Sequence, residues 1–251
     1  MTYQFTVSPD FSPDYISGWF IFNTWLQRAL GQSIHLEMMD DFQQLHQAIE
    51  EDRVDLIYAN PYDASMLVRE KDFTPLVKPR GGSDEAVIAV RADSGIDKVE
   101  SLPPGTRVAT TDDPDVHLMG MIMLEPAGLD QGSVELRQCG SYVLVAKALL
   151  QGACEVGIFL DKAFDELSRP IQSQLRPLVR SEIQMIHHSL MAGPRLDSEV
   201  EELRRVLLAM DQDPRGRNVL QGLGLAGWEP VEEEEAEFMI DLMETLTYSP
   251  G

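Results

Sequence analysis

The sequence predicts an α/β protein built from two similar units, each a mostly parallel sheet flanked by helices. Two observations carry this. Short apolar runs of strand length alternate with amphipathic helical stretches from the first residues onward. A second run of the same alternation starts after Gly81-Gly82. A β-α-β-α-β order places helices on both faces of a parallel sheet.

In the first unit Tyr3–Ser8 reads as a strand. Pro13–Leu30 is a helix carrying Trp19, Phe22, Trp25 and Leu26 on one side, stopped by Gly31. Ser33–Met38 is a strand, Asp40–Glu51 a helix and Val54–Tyr58 a buried strand, and Pro61–Arg69 opens a further helix. The second unit begins with the apolar strand Ala86–Arg91. Strands Arg107–Thr110, Val134–Gln138 and Glu155–Phe159 follow, each succeeded by a helix, at His117–Glu125, Tyr142–Leu150 and Lys162–Leu167. Gln184–Met191 returns as a strand, and helices near 197–210, 214–221 and 232–246 close the chain. Glu232–Glu235 suits the positive end of the last helix dipole. The implied lobes are residues 1–82 with 189–251, and 83–188.

Charge and composition exclude several classes. The 251 residues hold 20 Lys and Arg against 42 Asp and Glu, a net charge of −22. Such a surface repels nucleic acid and anionic membrane, so neither is an expected partner. No apolar stretch approaches the roughly 18 residues that span a bilayer, so membrane insertion is not expected. Cys139 and Cys154 are too few for a disulfide scaffold and read as buried free thiols, with one bridge still open. Met1 leads directly into strand pattern, without the basic and apolar regions of a signal peptide. The chain as it stands reads as cytoplasmic; if a leader was removed upstream it reads as periplasmic.

Four stretches carry a family resemblance. They are Arg91-Ala-Asp-Ser-Gly-Ile-Asp-Lys-Val-Glu-Ser-Leu-Pro-Pro-Gly-Thr-Arg-Val-Ala109, Val54-Asp-Leu-Ile-Tyr-Ala-Asn-Pro-Tyr62, Gly140–Gly152 followed by Glu155-Val-Gly-Ile-Phe159, and Gly216–Trp228. In order and spacing they resemble the phosphate/phosphite/phosphonate-type substrate-binding proteins of ABC transporters. The resemblance implies a type 2 periplasmic-binding-protein-like fold, with hinge strands between two lobes. It also implies a small-molecule ligand held by hinge closure in the interlobe cleft, transport, and an ABC permease or a sensor as partner. No cofactor or metal is implied.

Ligands of such sheets bind at the carboxyl ends of strands. The candidate binding residues there are Ser8, Asp10, Tyr58, Asn60, Tyr62, Thr110, Thr111, Asp112, His117, Tyr142 and Asp161. Asn60 and Tyr62 fit the first-lobe ligand loop, although Tyr62 beside Pro61 also suits helix-start packing. Asp10 is equally turn chemistry beside Pro9. Asp161 is either a helix N-cap or, as the resemblance implies, an acid that meets a ligand amine. The family places a hydroxyl-rich Ser-Thr-Ser-Gly-like run at the start of the first long helix of the second lobe. Here that stretch is Asp115-Val-His-Leu-Met-Gly120, beside Asp112 and Asp113. The family's His in the next loop is replaced by Tyr142, a phenol that stays uncharged near neutral pH. These changes favour a neutral, zwitterionic or cationic ligand over a bare oxyanion.

Two rivals remain. One is a cytoplasmic enzyme on the same fold, resembling menaquinone- or thiamine-pathway enzymes, with His117, Asp112 and one of His187 or His188 as acid/base candidates. The other is an acidic interaction protein that has lost its pocket. His117 with Met119, Met121 and Met123 reads as core packing rather than a metal site, because alternate residues on a helix do not share a face.

Overall fold

The computed structural model describes residues 2–11 and 13–247. The chain forms two units: Met1–Ser83 with His187–Gly251, and Asp84–Ile186.

Unit 1 opens with β1 (Thr2–Val7), α1 (Ile16–Leu30), β2 (Ser33–Leu36), α2 (Phe42–Glu50), β3 (Leu56–Ala59), α3 (Pro61–Lys71) and β4 (Thr74–Pro79). Unit 2 holds β5 (Ala86–Arg91), β6 (Arg107–Thr110), α4 (Pro114–Leu124), β7 (Glu135–Gln138), α5 (Tyr142–Leu150), β8 (Val156–Leu160), the short α6 (Asp161–Asp165) and α7 (Arg169–Gln172), and β9 (Leu175–Arg180). The chain then returns to unit 1 with β10 (Ser189–Ala192), α8 (Val200–Leu208), α9 (Pro214–Gly222), β11 (Trp228–Pro230) and α10 (Glu233–Thr247).

The sheet of unit 1 has the order β11-β4-β10-β3-β1-β2. β1, β2 and β3 are mutually parallel, and β10 is antiparallel to both β3 and β4. β4 therefore runs with β1–β3, so four of the six strands share a direction. The sheet of unit 2, β7-β6-β8-β5-β9, repeats the device: β5 is antiparallel to both β8 and β9 and every other strand runs one way.

Three strands depart from the sequence expectation. β4, β9 and β11 are strands where loop or no element was expected, and each contains proline: Pro75 and Pro79, Pro177, and Pro230. Proline cannot donate to a ladder and settles at edges and bulges. Pro75 pairs with Met191 beside a register shift, and Pro177 pairs with Ala89 beside another. The returning strand is shorter than the expected Gln184–Met191, because positive φ at Gln184 interrupts extended backbone there. α4 starts at Pro114 rather than His117, because Asp113 caps it and Pro114 takes the first helical position.

Both faces of the unit 1 sheet are covered. Phe5, Trp19, Phe22, Leu26, Leu207, Leu220 and Trp228 pack on one, and Phe42, Leu45, Ile49, Leu67, Phe73 and Met191 on the other. The amphipathic spacing of Trp19, Phe22 and Leu26 buries one stripe of α1, and Gly31 ends the helix in a left-handed conformation (φ 65°). α1 approaches α9 so closely that a Cβ on Gly18 would lie 2.2 Å from the Gly222 carbonyl oxygen. In unit 2, Val87, Ala109, Val145, Leu149, Phe159 and Phe164 fill one face. Both thiols are free; Cys154 is buried and Cys139 only partly so.

Candidate functional site

In unit 1 the carboxyl ends of β1 and β3 and the first residues of antiparallel β10 share one edge, since Ser189 pairs with Ala59. Ser8 is fully buried; its backbone N–H donates to the Tyr58 carbonyl at 2.9 Å, and its Oγ accepts from the Asn60 N–H at 3.1 Å. Ser8 thus ties two loops together. Asn60 caps α3, its Oδ1 accepting from the Asp63 N–H at 2.7 Å. Tyr62 is half-buried in the first turn of α3, and its carbonyl accepts from the Ser65 hydroxyl.

Asp10 and His188 meet on this edge, with Asp10 Oδ2 2.9 Å from His188 Nε2 and their side chains 3% and 12% exposed. The His188 ring stacks on Tyr58 with centroids 5.1 Å apart, and Tyr58 leans on Trp19. His187 is buried in the other direction, its Nε2 3.5 Å from Glu235. Adjacent residues of an extended chain point oppositely, so His188 is the one that joins the loop ends.

Sequence reasoning missed Asp63. It is fully buried, with Oδ1 2.7 Å from His46 Nε2. Burial pushes the Asp63 carboxyl above its usual value, and the hydrogen bond from His46 offsets this only in part. That same bond raises His46. An Asn N-cap with an acid three residues on is a helix-start pattern, and that signal was available. Asp10 Oδ1, Asp63 Oδ2 and Asn60 Nδ2 are buried without a protein hydrogen-bond partner, an arrangement that buried polar atoms rarely keep.

In unit 2 the corresponding edge holds the loop after β6. Thr110 and Thr111 are buried, at 1% and 6% exposure, and the Asp113 N–H donates to Thr111 Oγ1 at 3.4 Å. Asp113 is the N-cap of α4, with Oδ1 accepting from the Val116 N–H, and Asp115 lies in the first turn; they are 3% and 1% exposed. A carboxylate thus accepts a helix-start N–H that would otherwise face an anion. Tyr142 donates its phenol to Asp113 Oδ2 at 2.6 Å. Burial and then the Asp113 charge hold that phenol well above its usual pKa, so it stays a donor.

The remaining candidates stand apart from this knot. Asp112 is exposed, and Asp113 beside it takes the capping role. His117 sits on α4, half-buried, and burial lowers its pKa. Asp161 is not an N-cap, because Leu160 holds that position. It is ion-paired with Arg180, whose second nitrogen reaches Asp165 at 2.8 Å. Sequence reading also missed Glu85, which is buried and accepts from the Ser181 hydroxyl and the N–H groups of Ile183 and Gln184.

Solved proteins share this architecture at low identity. A Xanthomonas citri protein bound to ATP superposes with a TM-score of 0.83 at 17% identity, over 100% of this chain and 99% of that one. PhnD1 from Prochlorococcus marinus, in complex with methylphosphonate, gives 0.83 at 12% identity, over 99% of each chain. The periplasmic aliphatic sulphonate-binding protein SsuA from Escherichia coli gives 0.69 at 18% identity, over 100% of this chain and 94% of that one. A search of curated proteins finds no match. The fold is that of the type 2 periplasmic binding proteins. Residues 5–236 match the model for the phosphonate periplasmic substrate-binding proteins of ABC transporters, and the chain belongs to that family. Its family and structural neighbours are substrate-binding proteins rather than enzymes. Among the described residues no helix is long and apolar enough to cross a membrane.

Proposed function

We propose that this chain is the ligand-binding component of an ABC import system whose pocket prefers a neutral, zwitterionic or cationic ligand to a bare oxyanion. The loaded protein presents its ligand to a permease. Asp10, Tyr58, Tyr62 and His188 contribute from the first lobe, and Thr110, Asp113 and Tyr142 from the second.

One observation carries the reading: the start of α4 already holds two buried carboxylates, Asp113 and Asp115. Two like unit charges about 4 Å apart repel by roughly 4 kcal/mol at an effective dielectric of 20. A phosphonate dianion placed there meets that repulsion and finds the Val116 N–H already engaged. An ammonium group meets attraction instead. The buried, unpartnered Asp10 Oδ1 adds a further acceptor on the unit 1 edge.

The test is a thermal-shift and calorimetric screen of methylphosphonate, phosphite, ATP, amino acids and polyamines. A true ligand at 100 times its dissociation constant stabilises by about 2.7 kcal/mol. Amines or zwitterions should do so, and methylphosphonate and phosphite should leave the melting temperature unchanged. Strong stabilisation by either oxyanion, with none by the amines, refutes the proposal.

A further inference from the structure

We infer that unit 2 carries a second, separate binding site, for a small anion bearing carboxylate or phosphate groups. The site is a cavity of about 270 Å³ between the end of β7 and the exposed side of α5. Arg137, Gln138 and Cys139 line it from the strand end, and Leu144, Lys147 and Gln151 from the helix.

The site's chemistry is opposite to that of the chain around it. The protein has 42 acidic residues against 20 basic ones. Most of the arginines are tied to carboxylates, among them Arg53, Arg80, Arg107, Arg180 and Arg195. Arg137 and Lys147 form no ion pair among the described residues, and both face this cavity. No carboxylate lines it. Glu135, two residues before Arg137 on β7, is not among the lining residues. Two cations left unpaired in a protein with excess acid, and converging on one concavity, make a local exception to the repulsive field.

The lining also sets the size and character of the ligand. Pockets for drug-sized molecules run to about 300–1,000 Å³, so this one takes a smaller molecule. Guanidinium and ammonium groups bind carboxylate or phosphate by charge-assisted hydrogen bonds. The amides of Gln138 and Gln151 supply further donors for hydroxyl or carbonyl groups. Leu144, 45% exposed, and buried Ala148 form an apolar floor for a short carbon skeleton. The Cys139 thiol is directed to the Arg137 carbonyl at 3.9 Å and leaves the cationic groups free.

The site is independent of the ligand proposed above, and the test keeps the two apart. Citrate, inorganic phosphate and neutral glycerol are titrated into the ¹⁵N-labelled full chain while amide resonances are followed. Citrate or phosphate should shift Gly140, Lys147 and Gln151 saturably, glycerol should not, and the stronger of the two names the preferred group. In the double variant R137Q/K147Q, which changes two exposed residues, affinity should fall by at least about tenfold, as loss of charge-assisted contacts requires. Binding of the amine or zwitterion that stabilises the wild-type protein should be unchanged in that variant. Saturable shifts that persist in R137Q/K147Q, or no saturable shift with either anion, overturn the proposal.

Discussion

The starts of α3 and α4 are built the same way and charged differently. Asn60-Pro61-Tyr62-Asp63 and Asp113-Pro114-Asp115-Val116 each follow a strand, place a capping side chain before proline, and use that side chain to accept from the N–H three residues on. Asx residues with proline at the next position are a preferred way to begin a helix. In unit 1 the cap is a neutral amide, and the buried acid of the first turn faces His46. In unit 2 the cap is itself a carboxylate, held by a phenol. The geometry of a helix start is therefore separable from its charge, and the charge decides what such an end can bind.

Exchanging the caps is the strongest way to break this comparison. Asp113→Asn gives unit 2 the neutral cap of unit 1, and Asn and Asp cap almost equally well. Removing one charge worth roughly 4 kcal/mol against an anion should raise methylphosphonate affinity at least about a hundredfold by calorimetry. An unchanged affinity means that the cap charge does not set the preference. The reverse exchange, Asn60→Asp, buries a second carboxylate close to Asp63, whose N–H bonds the residue 60 side chain. It should cost roughly 3 kcal/mol in chemical denaturation, and a cost near zero would remove the distinction between the two ends.

A smaller change tests the phenol. Tyr142→Phe removes the donor to Asp113 and should destabilise by about 2 kcal/mol, the usual worth of a hydrogen bond to a charged group. Equal stability of the two proteins, measured by urea midpoint, would show that the bond contributes nothing.

The smallest effects are in pH dependence, and they have opposite signs in the two units. The hydrogen bond to Asp63 raises His46 above its ordinary value of 6.5. Its contribution is therefore complete below pH 6.5 and is lost as pH rises through the raised value. Asp63 is itself raised by burial, so it too disfavours the fold as it ionises on rising pH. His117 is lowered from 6.5 by burial. It is neutral in the fold, so its stability is complete above pH 6.5 and is lost as pH falls toward the lowered value. Relative to wild type, Asp63→Asn should flatten the loss of stability on raising pH from 6 to 8. His117→Gln should flatten the loss on lowering pH from 7 to 5. Melting curves across that range check both, and identical profiles for the two variants would contradict the assignment.

Much of the fold was legible where one rule acted alone. β5, β6 and α5 fall where apolar runs and helical spacing place them. β4 and β9 were not, because Pro75 and Pro177 argue against strands locally, while ladders on both sides of β4 and the single ladder of edge strand β9 to β5 secure them. The acidic character of the loop after β6 could be read directly, yet Asp112 was singled out and Asp113 is the residue that caps α4 and accepts from Tyr142. Which of three neighbouring acids turns inward depends on the helix start, and that was expected three residues too late. Asp63 and His188 were not identified as partners because each meets its own across a distance in sequence, 17 residues to His46 and 178 to Asp10.

The chain leaves unit 1 at Ser83 and re-enters it at His187, and at the junction the Asp84 N–H donates to the Ile186 carbonyl at 2.7 Å. Unit 2 is thus a closed excursion inserted within unit 1. β10, the strand joining β3 to β4 in the first sheet, is made only after all of that excursion. On the ribosome, residues 84–186 are available as a finished module while the first sheet still lacks a middle strand. Translation order therefore favours folding of the inserted module first, with the earlier-made unit waiting for its last strands.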